Sequence, residues 1–90
     1  MKNISALIVA HNEEKNLPLC LASLSDIDEL VLILDKTTDN SKNIAKKYNC
    51  KIHEGSWNNE GKRRNFGISK CSNNWILEID SDERANINLV

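Results

Sequence analysis

Four short runs along the chain have the composition of β-strands, and more polar segments separate them. They are ISALIVA (4–10), LVLIL (30–34), KIH (51–53) and WILEI (75–79). The first two are almost entirely apolar, which is typical of strands covered on both faces of a sheet. The third is brief and polar, so we expect it at a sheet edge.

Apolar residues at helical spacing occupy the three segments between these runs. Leu17, Cys20, Leu21 and Leu24 recur at intervals of three and four, which predicts a helix over about 13–24. Pro18 suits only a first turn, so a start at Leu17 stays open. Similar reasoning predicts a second helix after the capping residues near position 41, ending near 49, and a third over about 61–71.

The alternation of strands and helices predicts an α/β fold. Successive strand, helix and strand units favour a parallel sheet with right-handed crossovers and helices on both faces, as in a Rossmann-like three-layer sandwich. In such sheets ligands bind beyond the carboxyl ends of the strands. Polar residues follow three of the predicted strands at that end: His11, Asn12, Glu13, Asp35, Asp80 and Asp82.

The pair Asp80 and Asp82 is the strongest candidate for metal chemistry. Side chains alternate along an extended segment, so both carboxylates leave the strand end on the same side. Carboxylate oxygens there suit Mg²⁺ or Mn²⁺, and a solvated acidic turn is the alternative. The glycine fingerprints of dinucleotide-binding and P-loop domains are absent, so carboxylates at several strand ends favour a metal-held nucleotide diphosphate.

Composition limits the other possibilities. Ninety residues with 40% hydrophobic and 28% charged side chains and a net charge of −1 predict one folded domain that does not bind nucleic acid. The cluster Lys62, Arg63 and Arg64 is large enough only for a diphosphate. No apolar run reaches the ~18 residues of a membrane span and no signal peptide is evident. We therefore expect a cytoplasmic protein, and a peripheral position at the inner face of the membrane stays open.

Cysteine usage supports the same compartment. Cys20, Cys50 and Cys71 are odd in number, widely spaced and without a C-x-x-C pair. This pattern indicates reduced core cysteines and not a disulfide framework or a zinc site.

Four motifs, in order, carry a resemblance to a known family. The segments AHNEE, LDKTTDNS, GKRRNFG and WILEIDSDE follow or precede the predicted elements. Together they resemble the family-2 glycosyltransferases of GT-A fold, over about residues 4–84. The run from position 57 to 84 most resembles bacterial enzymes of the lipopolysaccharide core. The resemblance implies the strand order 3-2-1-4 and identifies residues 1–90 as a single truncated nucleotide-sugar-binding domain.

The resemblance also implies roles for particular residues. A nucleotide-diphosphate sugar, most simply a UDP-sugar, is the expected donor, and Mn²⁺ or Mg²⁺ the expected cofactor. Asp82 holds the metal together with Asp80 in this scheme. Arg64, and less surely Arg63, reaches the nucleotide. The remaining donor-binding residues implied by the resemblance are Ala10, His11, Asn12, Glu13, Asp35 and Asp80.

Two departures from the family pattern concern the chain's own residues. Lys36 stands where a small or acidic residue is common, and Glu78 places a charge inside a strand that is apolar in most relatives.

The family's acceptor site and catalytic base lie in a carboxyl-terminal half that has no counterpart among these residues. We therefore expect an inverting glycosyltransferase whose glycan or lipopolysaccharide acceptor is bound elsewhere, and little transfer by these 90 residues alone. The first alternative is a non-catalytic domain that binds a nucleotide or a partner. A nucleotidyltransferase is a second, weaker alternative.

The order 3-2-1-4 leaves the fourth strand at an edge. An unpaired edge invites pairing with another chain, so we expect either a homodimer through 75–79 or a segment at 85–90 folded over the edge.

Overall fold

The computed structural model describes residues 3–12 and 14–80, with Asp80 described by its backbone alone. Over these residues the chain alternates four strands with three helices. The elements are β1 (Ile4–Ala10), α1 (Leu17–Ser23), β2 (Glu29–Asp35), α2 (Ser41–Ala45), β3 (Lys51–Gly55), α3 (Glu60–Lys70) and β4 (Trp75–Asp80). None of the described helices is long and apolar enough to cross a membrane.

All neighbouring strands are parallel, and the sheet order is β3-β2-β1-β4. The predicted α/β class and strand order are therefore confirmed. β1 and β2 lie in the centre, as their nearly continuous apolar sequences indicated. β3 and β4 form the edges of the described sheet, and β3 is the predicted polar edge strand.

The two faces of the sheet carry different helices. Ile4, Ala6, Ile8 and Ala10 of β1 pack with the apolar stripe of α1 on one face. The alternate residues, represented by Leu7, pack against α3 on the other face. Because strand side chains alternate between faces, β2 also divides its residues in this way, and both Glu29 and Asp35 belong to the face covered by α3.

α3 lies unusually close to the sheet at Gly67. A Cβ atom there would stand 2.6 Å from Cδ1 of Leu7, nearer than packed carbon atoms approach. Gly67 is the buried residue of α3, and its lack of a side chain lets the helix backbone settle on β1. The loss in helix propensity is therefore compensated by close packing.

The first two helices differ from their predicted lengths. α1 begins at Leu17 and not near 13, because Pro18 occupies the first turn, where its missing N–H and fixed φ are tolerated. α2 ends at Ala45, so Tyr48 packs against the core from beyond the helix. α3 starts and ends one residue earlier than expected, and its start is capped by the side chain of Asn59.

A buried carboxylate holds the amino-terminal end of the sheet together. Glu29 accepts hydrogen bonds from the hydroxyl of Ser5 at 2.7 Å and from Nζ of Lys51 at 2.5 Å. The backbone N–H and hydroxyl of Ser72 donate to its two oxygens at 2.7 and 2.8 Å. Burial raises the pKa of Glu29, but the bonds from Lys51, Ser5 and Ser72 outweigh burial and lower it to about 2.

We predict that Glu29→Gln lowers the free energy of unfolding at neutral pH by about 1–3 kcal/mol, because an amide cannot accept all of these bonds. The pKa of Glu29 is about 2 in the folded protein and near 4.5 in the unfolded chain. Its ionised carboxylate therefore stabilises the wild type fully above pH 4.5, and this stabilisation is lost as the pH falls towards about 2. Urea unfolding at a series of pH values should therefore show the two proteins converging in acid.

Glu54→Gln is the matched control, since Glu54 pairs with Lys42 at 3.1 Å on the surface. An exposed pair contributes at most about 1 kcal/mol. A constant difference between wild type and Glu29→Gln throughout the acid range would contradict the assignment of the bonds to the ionised carboxylate.

Candidate functional site

The loop after β1 meets the loop after β2 at the carboxyl edge of the sheet. Ala10 ends β1, and its carbonyl oxygen accepts a hydrogen bond from the hydroxyl of Thr37 at 3.3 Å. Nδ1 of His11 lies 2.7 Å from the carbonyl oxygen of Asp35. Because a carbonyl only accepts, Nδ1 carries the proton in this contact. His11 therefore contributes to the joining of the two loops.

Asn12 makes the second connection between these loops. Its Oδ1 accepts from the backbone N–H groups of Thr38 at 2.8 Å and Asp39 at 3.2 Å. Asn12 has a φ of 51°, in the left-handed region that asparagine tolerates better than most residues. Asp39 returns the connection, because its carboxylate accepts from the backbone N–H of Glu14 at 3.2 Å and of Ser41 at 3.0 Å.

Asp35 lies at the centre of this edge, and its side chain is buried. Its Oδ1 accepts from the backbone N–H of Trp57 at 3.1 Å, and its Oδ2 accepts from Nη1 of Arg63 at 2.9 Å. Burial raises the pKa of Asp35, but the hydrogen bonds from Arg63 and Trp57 outweigh it and hold the pKa below its usual range. The carboxylate therefore stays ionised in neutral solution.

The two arginines of α3 reach different strands. Arg63 contacts Asp35 at the end of β2, whereas Arg64 contacts Glu78 of β4. Nε and Nη2 of Arg64 donate to the two carboxylate oxygens of Glu78 at 2.6 and 2.9 Å. This bidentate pair lowers the pKa of Glu78. Successive helix residues point about 100° apart, which explains the divergence.

A cleft of about 150 Å³ lies between the first half of α3 and the adjoining strands β1 and β4. Apolar side chains of the sheet form its floor, and charged side chains form its walls. Its lining residues are Leu7, Val9, Ile79, Glu60, Arg63, Arg64 and Glu78.

β4 brings Asp80 to the same edge, where its backbone lies beside Val9 of β1. The side chain of Asp80, and all of Glu13 and Asp82, lie outside the described residues. Within residues 3–12 and 14–80 no three potential metal ligands cluster. The predicted pair, Asp80 and Asp82, has hard oxygen donors of the kind that Mn²⁺ and Mg²⁺ prefer, and its role as the metal site stays a prediction.

The sequence analysis did not identify several residues that shape this edge. The backbone N–H of Trp57 and the loop residues Thr38 and Asp39 were assigned no role, although LDKTTDNS contains both loop residues, because their contacts depend on the fold. Glu78 was noted only as a charge within an apolar strand. That charge was a usable signal, because a carboxylate in a strand needs a cationic partner when it is partly buried.

Comparison with known proteins identifies the family. A model described as "Glycosyl transferase family 2" matches residues 5–90. The chain belongs to glycosyltransferase family 2. The resemblance seen in the four motifs is therefore confirmed for nearly the whole chain.

Individual relatives within family 2 are much longer than this chain. An uncharacterised glycosyltransferase of Rickettsia typhi is 34% identical over 84 residues, which are 92% of this chain and 29% of that protein. The lipopolysaccharide core biosynthesis glycosyltransferase LpsC of Rhizobium meliloti is 29% identical over 86 residues, which are 90% of this chain and 32% of LpsC. The chain thus spans about a third of the length of these relatives.

Solved structures share the fold. Glucosyl-3-phosphoglycerate synthase from Mycobacterium tuberculosis in complex with UDP superposes with a TM-score of 0.78 at 22% identity, covering 89% of this chain and 34% of the synthase. The same synthase in complex with Mn²⁺, UDP-glucose and phosphoglyceric acid has a TM-score of 0.76 at 22% identity, covering 87% of this chain and 32% of the synthase. This likeness confirms the GT-A, Rossmann-like fold of the family-2 chain.

We predict that Asn12→Gly and Asn12→Ala separate the two contributions of this residue. Glycine removes the bonds to Thr38 and Asp39, at about 0.5–1.5 kcal/mol for each bond, but accepts the positive φ. Alanine loses the same bonds and adds about 1 kcal/mol of backbone strain. Denaturant unfolding should rank wild type above glycine and glycine above alanine.

Amide exchange at Thr38 and Asp39 is the second measurement for these variants, and both variants should accelerate it equally. If exchange at these two amides were unchanged in Asn12→Gly, the Asn12 side chain would not be what joins the loops.

Proposed function

We propose that this chain is the donor-binding domain of a family-2 glycosyltransferase and that it binds a nucleotide-diphosphate sugar, in the simplest case a UDP-sugar, at the carboxyl edge of its sheet. The observation that carries the proposal is that Arg63, which is bonded to Asp35, and the Arg64–Glu78 pair line one cleft beside the end of β4. The UDP complexes of the M. tuberculosis synthase support the choice of nucleotide.

The base and ribose are assigned to the Asp35 side of the cleft. Asp35 offers acceptor oxygens and Arg63 offers N–H donors next to them, which together match the alternating donors and acceptors of a nucleobase edge. Ala10 at the end of β1 borders this position, together with His11 and Asn12 of the loop that follows, and we assign Glu13 to donor binding with them. Asn12 and His11 act by holding that loop against the loop after β2.

The diphosphate is assigned to the β4 side, near Arg64 and the paired aspartates. Asp82 and Asp80 would hold Mn²⁺ or Mg²⁺, which when bound stabilises the negative charge that develops on the departing diphosphate. Arg64 supplies a fixed positive charge beside the same phosphates. Complexes of the M. tuberculosis synthase with Mn²⁺ or with Mg²⁺ support this metal requirement.

Transfer itself is assigned to the whole enzyme. An inverting reaction needs a base that removes the proton of the acceptor hydroxyl, and we place that base outside these 90 residues. LpsC supports a lipopolysaccharide acceptor. The poly(ribitol-phosphate) β-N-acetylglucosaminyltransferase TarS of Staphylococcus aureus, which is 29% identical over 98 residues, supports a polyol-phosphate polymer as another class of acceptor. A cytoplasmic location remains part of this proposal.

We predict that UDP binds to the chain in the presence of Mn²⁺ and binds at least about tenfold more weakly in excess chelator, because the metal bridges the diphosphate to Asp82. Isothermal titration calorimetry measures both affinities. Asp82→Ala should reproduce the effect of the chelator, and Asp35→Asn should weaken binding about tenfold with the metal present.

Asp28→Asn is the control for the loss of a negative charge. Asp28 lies near Asn73, at the amino-terminal end of the strands and away from the proposed site. Equal affinity for UDP in Mn²⁺ and in chelator would contradict a metal-bridged diphosphate. Equal affinity in Asp35→Asn and wild type would contradict the placement of the base.

We also propose that the chain forms a homodimer through β4. β4 pairs with β1 on one side and with no other described strand, and Trp75 at its start is 70% exposed. Unpaired strand edges add strands from other chains readily. The alternative cover, a segment at 85–90, lies outside the described residues.

The prediction for this dimer is a doubled mass in light scattering and slow amide exchange along β4. Ile76→Pro should return the chain to a monomer, because proline cannot donate a hydrogen bond and blocks strand addition when that N–H faces the edge. The same substitution in β3, Ile52→Pro, is the control at the other edge. A monomer with rapidly exchanging β4 amides would contradict the dimer.

A further inference from the structure

The fold does not require a charged side chain at Glu78, in the middle of β4. The strand residues on either side of it are apolar, and its own side chain is 44% exposed. Its partner, Arg64, is 58% exposed. Ion pairs at this exposure contribute little to stability. The pair therefore has little effect on folding, and its place in the wall of the cleft indicates a role there.

The geometry of the pair leaves part of Arg64 available. Glu78 occupies the edge of the guanidinium formed by Nε and Nη2. A guanidinium has five N–H donors, so Nη1 and the outer hydrogen of Nη2 remain for a second acceptor. Among the described residues no hydrogen bond or ion pair engages Nη1. This terminal edge has the spacing that binds two oxygens of a phosphate.

Arg63 provides the contrast within the same helix. Its Nη1 donates to Asp35 at 2.9 Å, and its Nη2 lies 3.9 Å from a carboxylate oxygen of Glu60. The terminal edge of Arg63 is therefore already directed at carboxylates, whereas that of Arg64 is not. Of the two arginines, Arg64 is the one whose geometry suits a phosphate.

We propose that Glu78 is a positioning residue, which holds the guanidinium of Arg64 at the wall of the cleft with its terminal edge open to an oxyanion of the donor diphosphate. This inference rests on the proposed function and adds a residue to it. An arginine fixed in advance loses less side-chain entropy when the ligand binds. Pairing also keeps Arg64 from turning to solvent. The negative charge of Glu78 opposes the diphosphate, and orientation of Arg64 outweighs that repulsion.

The test compares UDP binding with Mn²⁺ present in wild type and in Glu78→Gln, Arg64→Ala and the double variant. Glu78→Gln should weaken binding about three- to tenfold, because one immobilised side chain is no longer held. In the Arg64→Ala background the same substitution should cause no further loss, and removal of the repulsion should leave UDP affinity equal or slightly higher. A merely structural role for Glu78 would not depend on Arg64.

Glu54→Gln is the matched control for charge and location in a strand. Glu54 also forms an exposed ion pair from an edge strand, with Lys42, on the sheet face opposite the cleft. It should leave UDP affinity unchanged. Equal or tighter binding by Glu78→Gln would overturn the proposal, and so would a loss that persists when Arg64 is already alanine.

A measurement without nucleotide separates this inference from the proposed function. The side-chain Nε–H of Arg64 should give a protected NMR signal in wild type and in Glu54→Gln, and should exchange rapidly with water in Glu78→Gln. If wild type fails to bind UDP, the proposed function is wrong whatever this signal does. If the signal is identical in wild type and Glu78→Gln, Glu78 does not position Arg64.

Discussion

The carboxylate of Asp35 accepts a backbone hydrogen bond from Trp57 and a side-chain hydrogen bond from Arg63 while its side chain is buried at the end of β2. An ionised carboxylate in that position would be strongly destabilising without donors. The loop after β3 and the start of α3 must therefore stay where their N–H groups reach it. The backbone of Asp35 also accepts from His11, so the loop after β1 is drawn to the same point.

β2 has a second buried carboxylate at its other end. Glu29 and Asp35 lie on the same face of the sheet, beneath α3, and each binds chain segments next to that helix. Glu29 binds Ser72 after the end of α3, and Asp35 binds Arg63 in its first turn. Gly67 lets the middle of the helix lie close to β1. Three contacts along α3 thus set the direction of the helix. The same contacts determine how Arg63 and Arg64 are separated across the cleft.

The elements that could be predicted from the sequence were those determined by local pattern. Apolar runs located β1, β2 and β4, and the short, polar segment 51–53 located β3. The order of these strands with the intervening helices predicted a parallel α/β sheet. The start of α1 was less certain because the apolar stripe reached back towards 13, while Pro18 confined the helix to a later start. The end of α2 could not be predicted from the sequence, because Tyr48 fits the helical spacing but packs against the core from beyond the end of the helix.

The residues of the candidate site could be named from their positions at strand ends, and their binding roles stay predictions. The side-chain pairs among them could not be predicted. Ser72 is 43 positions from Glu29, and Arg64 is 14 positions from Glu78, so no local pattern links either pair. Both depend on how the crossovers place α3 on the sheet. The resemblance named Arg64, and less surely Arg63, as the arginine that reaches the nucleotide, and that role stays a prediction. The structure adds the partners, which are Asp35 for Arg63 and Glu78 for Arg64.

The most direct test of a nucleotide site built around Asp35 is a titration with UDP and Mg²⁺ followed through backbone amide NMR signals. The largest shifts should occur at Trp57, whose N–H binds Asp35, and at Thr38 and Asp39 in the adjoining loop. Ser72 and Asn73, at the opposite edge, should not shift. Shifts centred on Ser72 and Asn73, or none at Trp57 when binding is saturated, would contradict the assignment of the site.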